Sequence, residues 1–203
     1  MERKIKRAND KFENFIKILK VPEISLGADG FTPKRTLEEG FEEIARLISK
    51  QCIDGRKKLI FIGNGGSASI SSHQAVDFFN NLGIDARSFD SAPLLTCMAN
   101  DFGYENVFAK PISVVAQEGD VLVAISSSGK SPNILKAVEA ARKKGCRIIT
   151  MSGFKSDNPL RKMGDINFYV PSNSYRYVEA SHSLYWDFIL ELLIDEEYEK
   201  IKK

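Results

Sequence analysis

The chain has 203 residues, of which 43% are hydrophobic and 28% charged, and this balance is typical of a soluble globular protein with a sizeable core. The formal net charge of +2 argues against nucleic acid or an anionic membrane as a main partner. The sequence contains no apolar run of about eighteen residues, so no transmembrane helix is predicted. The charged start does not resemble a signal peptide, and we therefore expect a cytoplasmic protein. The three cysteines (Cys52, Cys97 and Cys146) are expected to be small buried thiols of a reducing compartment.

The N-terminal part is predicted to be helical. Apolar residues recur at helical spacing over 3–20, a Val-Pro pair ends that helix, and a polar link follows. Thr36 with Glu39 three residues later is typical of a capping box that opens a second helix. We therefore expect a helical extension over 1–56, followed by one compact domain over 57–203.

From residue 58 onward, short apolar runs alternate with amphipathic stretches. The runs predicted to be strands are 58–62, 86–90, 120–125, 147–151 and 166–170. The helices are expected at about 67–81, 93–100, 105–116, 131–144, 158–163 and 175–201. Strands that are almost wholly apolar and alternate with helices predict a parallel sheet covered on both faces. The predicted fold class is α/β: a three-layer, flavodoxin-like sandwich with a five-stranded parallel sheet and additional N-terminal helices.

Two loops lie at predicted carboxyl ends of strands, where open parallel sheets bind ligands. The serine loop is the run Ser126-Ser127-Ser128-Gly129-Lys130-Ser131, and it leads directly into a helix. Its hydroxyls and the N–H groups of that helix can surround a phosphate, and Gly129 permits close approach of the backbone. A serine-rich turn can also cap a helix without any ligand.

The glycine loop is the run Gly63-Asn64-Gly65-Gly66-Ser67. It lacks both the lysine of a Walker loop and the glycine spacing of a dinucleotide-binding fingerprint. Two interpretations remain open for it: a tight turn from a strand into a helix, or a site where Asn64 and the backbone contact sugar hydroxyls.

Taken in order, these segments resemble the sugar isomerase (SIS) superfamily, and within it the phosphoheptose isomerases, which interconvert sedoheptulose 7-phosphate and manno-heptose 7-phosphate. The matching residues are the glycine loop, His73, Asp77, the run 99–104, the run 119–122, the serine loop, Glu179 and His182. The resemblance covers nearly the whole chain. It implies an isomerase that feeds cell-surface polysaccharide synthesis (lipopolysaccharide, capsule or glycan). It also implies a cytoplasmic homotetramer with active sites at subunit interfaces, and a divalent metal, usually zinc.

The resemblance also implies residue roles. Phosphate contacts are implied at Ser126, Ser127, Ser128 and Ser131. Substrate contacts are implied at Asn64, Gly65, Gly66, Asn100, Asp101 and Glu179. The metal positions correspond to His73, Asp77, Glu179 and Asp187. Only His73 is identical to the family's ligand, since Asp77 stands for a glutamate, Glu179 for a glutamine and Asp187 for a histidine. Such an oxygen-rich set also suits manganese or magnesium.

Aldose–ketose isomerisation needs a base near C1 and C2, an acid for the carbonyl oxygen, and stabilisation of the oxyanion. Asp77 is the first candidate for the acid/base, with Asp187 or His182 as its partner; His182, three residues after Glu179, is also a candidate second imidazole for the metal. His73 and Asp77 could instead be a surface pair, and Asp187 could simply lie at the solvent-exposed edge of its helix.

Two other functions remain open at this point. The chain could be a non-catalytic SIS protein that binds a sugar phosphate and acts through a partner, or an isomerase of another sugar phosphate. In each case the expected ligand is a small sugar phosphate. Apolar faces over 5–19 and 37–48 exceed what one five-stranded sheet can cover, so a homo-oligomer is expected.

Overall fold

The structure, a computed structural model, describes residues 2–27 and 35–201. Its strands are β1 (Glu23–Leu26), β2 (Leu59–Gly63), β3 (Ala86–Ser88), β4 (Val121–Ser126), β5 (Arg147–Ser152) and β6 (Ile166–Tyr169). Its α-helices are α1 (Glu2–Leu19), α2 (Leu37–Ile48), α3 (Gly66–Leu82), α4 (Ala92–Phe102), α5 (Ala109–Val115), α6 (Pro132–Lys143) and α7 (Tyr175–Ile201). A π-helical segment extends α2 over Ser49–Asp54, and short 3-10 helices span Tyr104–Asn106 and Pro159–Lys162.

The strands form one sheet in the order β1-β6-β5-β4-β2-β3. The five predicted strands are all present and parallel to one another, which confirms the α/β fold class. From β2 the chain moves outward to β3, and then crosses back to β4 and continues in the opposite direction. The switch in strand order therefore lies between β2 and β4, where open α/β sheets bind their ligands.

The sheet separates two apolar layers. On one side Phe61 of β2 packs against Trp186 of α7, with ring centroids 5.1 Å apart, and Phe78 of α3 lies 5.9 Å from the same indole. On the other side α5 and α6 cover the alternate residues Ile60 and Ile62. All five of these side chains are buried. The predicted three-layer sandwich is therefore confirmed, and the strand β2 is covered on its two faces.

Strand β1 was not predicted. It lies in the stretch predicted to be a polar link, and it pairs antiparallel with β6, where Ile24 lies opposite Phe168. The remainder of that link, 28–34, lies outside the described residues. A strand of four residues at a sheet edge carries too short an apolar pattern to be recognised.

The N-terminal part shares the core of the domain. Thr36 caps α2 in a capping box with Glu39, as predicted: the Glu39 N–H donates to Thr36 Oγ1 at 3.2 Å, and the Thr36 N–H donates to Glu39 Oε2 at 2.8 Å. Ile44 and Ile48 of α2 are fully buried in the same layer as α7. Part of the segment before the predicted boundary at residue 57 therefore packs into the same core as the rest of the domain, and the strand β1 also precedes that boundary.

The cysteines are free, and two of the three are buried as expected. Burial raises the pKa of Cys52 to about 12 and that of Cys146 to about 11, so both remain protonated thiols at neutral pH. Cys97 is exposed on α4, and the expectation that it is buried was wrong. None of the described helices has the length and apolar character needed to span a bilayer.

Candidate active site

The two predicted ligand loops meet at the switch point of the sheet. The glycine loop follows β2 and leads into α3, and the serine loop follows β4 and leads into α6. Strands β2 and β4 are direct neighbours, with Gly63 paired to Ile125. Two helix N-termini therefore lie at adjacent positions on one edge of the sheet, an arrangement that favours an anionic ligand.

The serine loop groups its hydroxyls at the start of α6. Ser126 Oγ lies 3.4 Å from Ser131 Oγ, and the Gly129 N–H donates to the Ser126 carbonyl oxygen at 3.0 Å. Ser127 Oγ is buried and has no hydrogen-bond partner among the described residues. Ser131 is the N-cap residue of α6, yet its side chain makes no capping hydrogen bond. Hydroxyls and helix N–H groups that an anion could use are therefore present together.

Gly129 has φ +62°, and a Cβ there would lie 2.0 Å from Asn158 Oδ1. Gly129 was predicted to permit close approach of the backbone to a ligand, and that stays a prediction. The structure adds a second reason for glycine, because the close neighbour is a side chain from the β5–β6 connection. Both the left-handed backbone and this contact require glycine.

Asn64 links the two loops. Its Nδ2 donates to Asn133 Oδ1 at 3.0 Å, and Asn133 Nδ2 donates back to Asn64 Oδ1 at 2.8 Å. The Tyr104 hydroxyl also donates to Asn64 Oδ1, at 3.2 Å. The side chain predicted to contact sugar is thus already bonded to the first turn of α6. Sequence reasoning missed Asn133; its signal was an amide directly after the proline that begins α6.

Glu179 of α7 lies against the start of α3. A Cβ on Gly66 would be 2.7 Å from each carboxylate oxygen of Glu179, so only glycine leaves this space to the carboxylate. A negative charge near a helix N-terminus is stabilised by the helix dipole. Gly65 precedes α3 with φ +54° and has no described atom near the Cβ position, so its backbone is open on that side. The structure therefore brings Glu179 together with the glycine loop, and the predicted contact of Gly65, Gly66 and Glu179 with substrate stays a prediction.

Asn100 and Asp101 lie at the end of α4, exposed to solvent. Asn100 Nδ2 donates to Asp101 Oδ1 at 2.8 Å, and no side-chain hydrogen bond among the described residues joins either of them to the glycine or serine loop. They lie close in sequence to Tyr104, whose hydroxyl donates a hydrogen bond to Asn64 of the glycine loop. Their contact with substrate stays a prediction.

The two predicted acid/base residues Asp77 and Asp187 have different partners. His73 Nε2 lies 3.2 Å from Asp77 Oδ2 on the outer side of α3, where the histidine side chain is 62% exposed and the aspartate 31%. Asp187 Oδ1 accepts a hydrogen bond of 2.7 Å from Nε2 of the buried Gln74, a partner that sequence reasoning missed. The α3–α7 packing thus places Asp187 beside the residue that follows His73.

A four-residue metal site is not assembled in one chain. Among the described residues, no three His, Cys, Asp or Glu side chains converge closely enough to hold an ion. His73 and Asp77 offer one nitrogen and one carboxylate that are open to solvent, whereas one Asp187 oxygen is already bonded to an amide. The described residues of a single chain therefore do not provide the complete ligand set of the metal that the resemblance implies.

The structure places His182 in the core, whereas a catalytic role was predicted for it. The ring is fully buried, and its Nε2 lies 3.2 Å from the Ser152 carbonyl oxygen. Burial lowers its pKa from 6.5 to about 4, so the ring is neutral at pH 7. A ring with no exposed face cannot meet a substrate or join an exposed metal pair.

Comparison with known proteins identifies the class. Residues 32–153 match the family model of the SIS domain, so the chain is a SIS domain protein.

Its relatives narrow this class further. The chain is 35% identical over 174 residues to the phosphoheptose isomerase of Sulfurimonas denitrificans, a match that covers 80% of this chain and 89% of the relative. It is 34% identical over 177 residues to that of Nitratiruptor sp., covering 81% and 94%. The structure of the phosphoheptose isomerase GmhA from Neisseria gonorrhoeae matches with a TM-score of 0.79 and 27% identity, over 94% of this chain and 98% of that one. The chain belongs to the phosphoheptose isomerase family of SIS domain proteins.

Proposed function

We propose that this protein is an aldose–ketose isomerase that converts sedoheptulose 7-phosphate to a heptose 7-phosphate for cell-surface polysaccharide precursors. The observation that carries the proposal is the meeting of the serine and glycine loops at the switch point, with Glu179 against the glycine loop. In a chain of this family, that arrangement suits a ligand with a phosphate at one end and hydroxyls along its length.

The serine loop anchors the phosphate through its hydroxyls and the first N–H groups of α6. The sugar chain then extends toward the glycine loop, whose orientation relative to α6 is fixed by the Asn64–Asn133 amide pair. Holding the phosphate end fixed places C1 and C2 at a constant distance from the protein's acid and base, which is how binding at a remote group assists the chemistry.

Asp77 and Asp187 carry the proton transfers in this proposal. One carboxylate removes the proton from the carbon next to the carbonyl, and an acid protonates the carbonyl oxygen to give the enediol, after which the steps reverse on the neighbouring carbon. His73 orients Asp77, and Gln74 holds one oxygen of Asp187, leaving its other oxygen for substrate.

The proposed active unit is a homo-oligomer, a tetramer by family resemblance, in the cytoplasm. Val76 and Phe79 are each 64% exposed on α3, beside the His73–Asp77 pair, and Phe188 of α7 is 51% exposed. A second subunit that covers these apolar side chains would enclose the acidic pair. Light scattering of the purified protein tests this, and a monomer would contradict it.

A divalent metal, zinc by resemblance, is proposed to bind only in that assembly, because the described residues of one chain include no converging set of ligands. When bound, it would supply charge stabilisation for the developing oxyanion. Elemental analysis of the oligomer as purified measures it: stoichiometric metal that Asp77→Asn removes supports the site.

The chemistry is tested by incubating the protein with sedoheptulose 7-phosphate in D₂O and following the C1 and C2 protons by NMR. A base that removes a carbon-bound proton exposes it to exchange with solvent. We expect exchange or product formation that requires active protein. No deuterium incorporation and no product with each of zinc, manganese and magnesium added would refute the proposed reaction.

A further inference from the structure

Asn158 lies in the connection between β5 and β6, and its side chain is fully buried. Its Nδ2 lies within hydrogen-bond distance of Ser152 Oγ at 3.2 Å and of the carbonyl oxygens of Gly153 and Lys155 at 3.2 and 2.9 Å. Its Oδ1 accepts from the Arg161 N–H at 3.0 Å. One amide therefore lies within hydrogen-bond distance of residues near both ends of the segment 152–161.

This segment is bonded to the serine loop at two places. The Gly153 N–H donates to the Ser127 carbonyl oxygen at 3.0 Å, and the Leu160 N–H donates to the Gly129 carbonyl oxygen at 3.1 Å. Between these two bonds, Asn158 Oδ1 lies against the Cα of Gly129, where a Cβ would come within 2.0 Å. The segment 152–161 thus supports the middle of the serine loop through two backbone hydrogen bonds and the contact of Asn158 with Gly129.

These bonds have a consequence for anion binding. The carbonyl oxygens of Ser127 and Gly129 are both engaged by the segment that Asn158 fixes. A carbonyl oxygen directed at a phosphate repels it, whereas N–H and hydroxyl groups attract it. Holding the carbonyls toward Asn158 leaves the donors of the loop available to the ligand.

We propose that Asn158 is a positioning residue for phosphate binding, which acts through the serine loop without touching the ligand. The proposal rests on the phosphate-anchoring role of that loop in the proposed function. It adds a residue about thirty positions from the loop to the set that determines affinity for the phosphate end of the substrate.

A buried asparagine could instead serve folding alone, and Asn167 provides the matched control. It is also fully buried and uses both ends of its amide: Oδ1 accepts from Thr150 Oγ1 at 2.7 Å and from the Gly164 N–H at 2.8 Å. Its Nδ2 donates to the carbonyl oxygens of Gly27 and Gly164 at 3.1 and 3.0 Å. None of these partners belongs to the serine loop or to the segment that supports it.

The experiment compares Asn158→Ala, Asn158→Ser and Asn167→Ala in the full chain. Serine keeps an oxygen that can accept from Arg161 N–H but removes the amide Nδ2 that donates to the segment, so it is the milder change if alanine prevents folding. Inorganic phosphate is titrated into each protein by calorimetry, a measurement that needs no turnover. Thermal unfolding records the stability of each variant, and KM and kcat are measured with sedoheptulose 7-phosphate.

We expect the phosphate dissociation constant to rise about tenfold or more in both Asn158 variants, since the loss of a buried hydrogen-bonding group is of that size. KM should rise by a similar factor while kcat changes by less than about threefold. Asn167→Ala should lose stability but keep its phosphate affinity. Phosphate affinity within about twofold of wild type in Asn158→Ser, equal weakening in Asn167→Ala, or no phosphate binding by the wild type would each overturn the proposal. If the wild type binds phosphate but does not turn over the heptulose, the proposed reaction fails, and the calorimetric comparison still decides the role of Asn158.

Discussion

Replacing Gly129 with alanine should destabilise the protein and weaken phosphate binding. The residue has φ +62°, a conformation that costs an alanine about 1 kcal/mol or more. Its new Cβ would also lie 2.0 Å from Asn158 Oδ1, so the buried amide must move and its bond from the Arg161 N–H is strained or lost. Leaving such buried groups unsatisfied costs roughly 1–3 kcal/mol. The total loss of unfolding free energy should be about 2–4 kcal/mol, measured by urea denaturation.

Gly83→Ala is the matched control for this substitution. Gly83 has φ +64°, almost the same as Gly129, but a Cβ there would meet no described atom within 4 Å. It should therefore show only the backbone cost of about 1 kcal/mol, with unchanged affinity for inorganic phosphate. If the two variants lose equal stability, the contact between Gly129 and Asn158 is not a constraint, and the reasoning about the support of the serine loop is refuted.

Three further changes test other parts of the site. Burial lowers the pKa of His182 from 6.5 to about 4 in the folded chain. Between pH 6.5 and 4 the ring is therefore protonated in the unfolded chain but neutral in the folded one. The free energy of unfolding should fall by up to about 3 kcal/mol as the pH falls through this range. His182→Gln should reduce that dependence in urea denaturation; an unchanged slope would contradict the burial of a neutral ring. Asn133→Ala removes both hydrogen bonds between Asn133 and the amide of Asn64, which keeps only the bond from Tyr104, and it should lower kcat/KM about tenfold in steady-state assays. An unaltered value would show that the loops are not coupled through the Asn64–Asn133 pair. Asp77→Asn should abolish turnover but retain phosphate binding by calorimetry, and normal turnover would remove Asp77 from the mechanism.

Much of the fold could be predicted because its signals are local. The central strands read as apolar runs since both faces are buried, and Thr36 with Glu39 marked the start of α2. Strand β1 was not predicted because it is short and lies at the edge of the sheet. Its four residues alone carry no signal of their pairing with β6.

The site was predictable in its loops and not in its long-range contacts. Asn64 and Asn133 are 69 residues apart in sequence, and Gln74 and Asp187 are 113 apart, so no local pattern connects them. Burial was equally hidden for His182, whose helical spacing from Glu179 suggested a shared face, although its ring packs against the end of β5. The position of a residue on a helix gives the direction of its side chain, but how deeply that side chain is buried depends on which elements pack against it.

The account is tested most directly by turnover of sedoheptulose 7-phosphate by the purified oligomer, with product identified by chromatography against heptose 7-phosphate standards. Pentose and hexose phosphates serve as competing substrates in the same assay. We predict that the heptulose phosphate is converted with the highest kcat/KM, and that inorganic phosphate competes with it. Preferential conversion of a pentose or hexose phosphate, or phosphate binding with no turnover of any sugar, would contradict the assignment as a heptose phosphate isomerase.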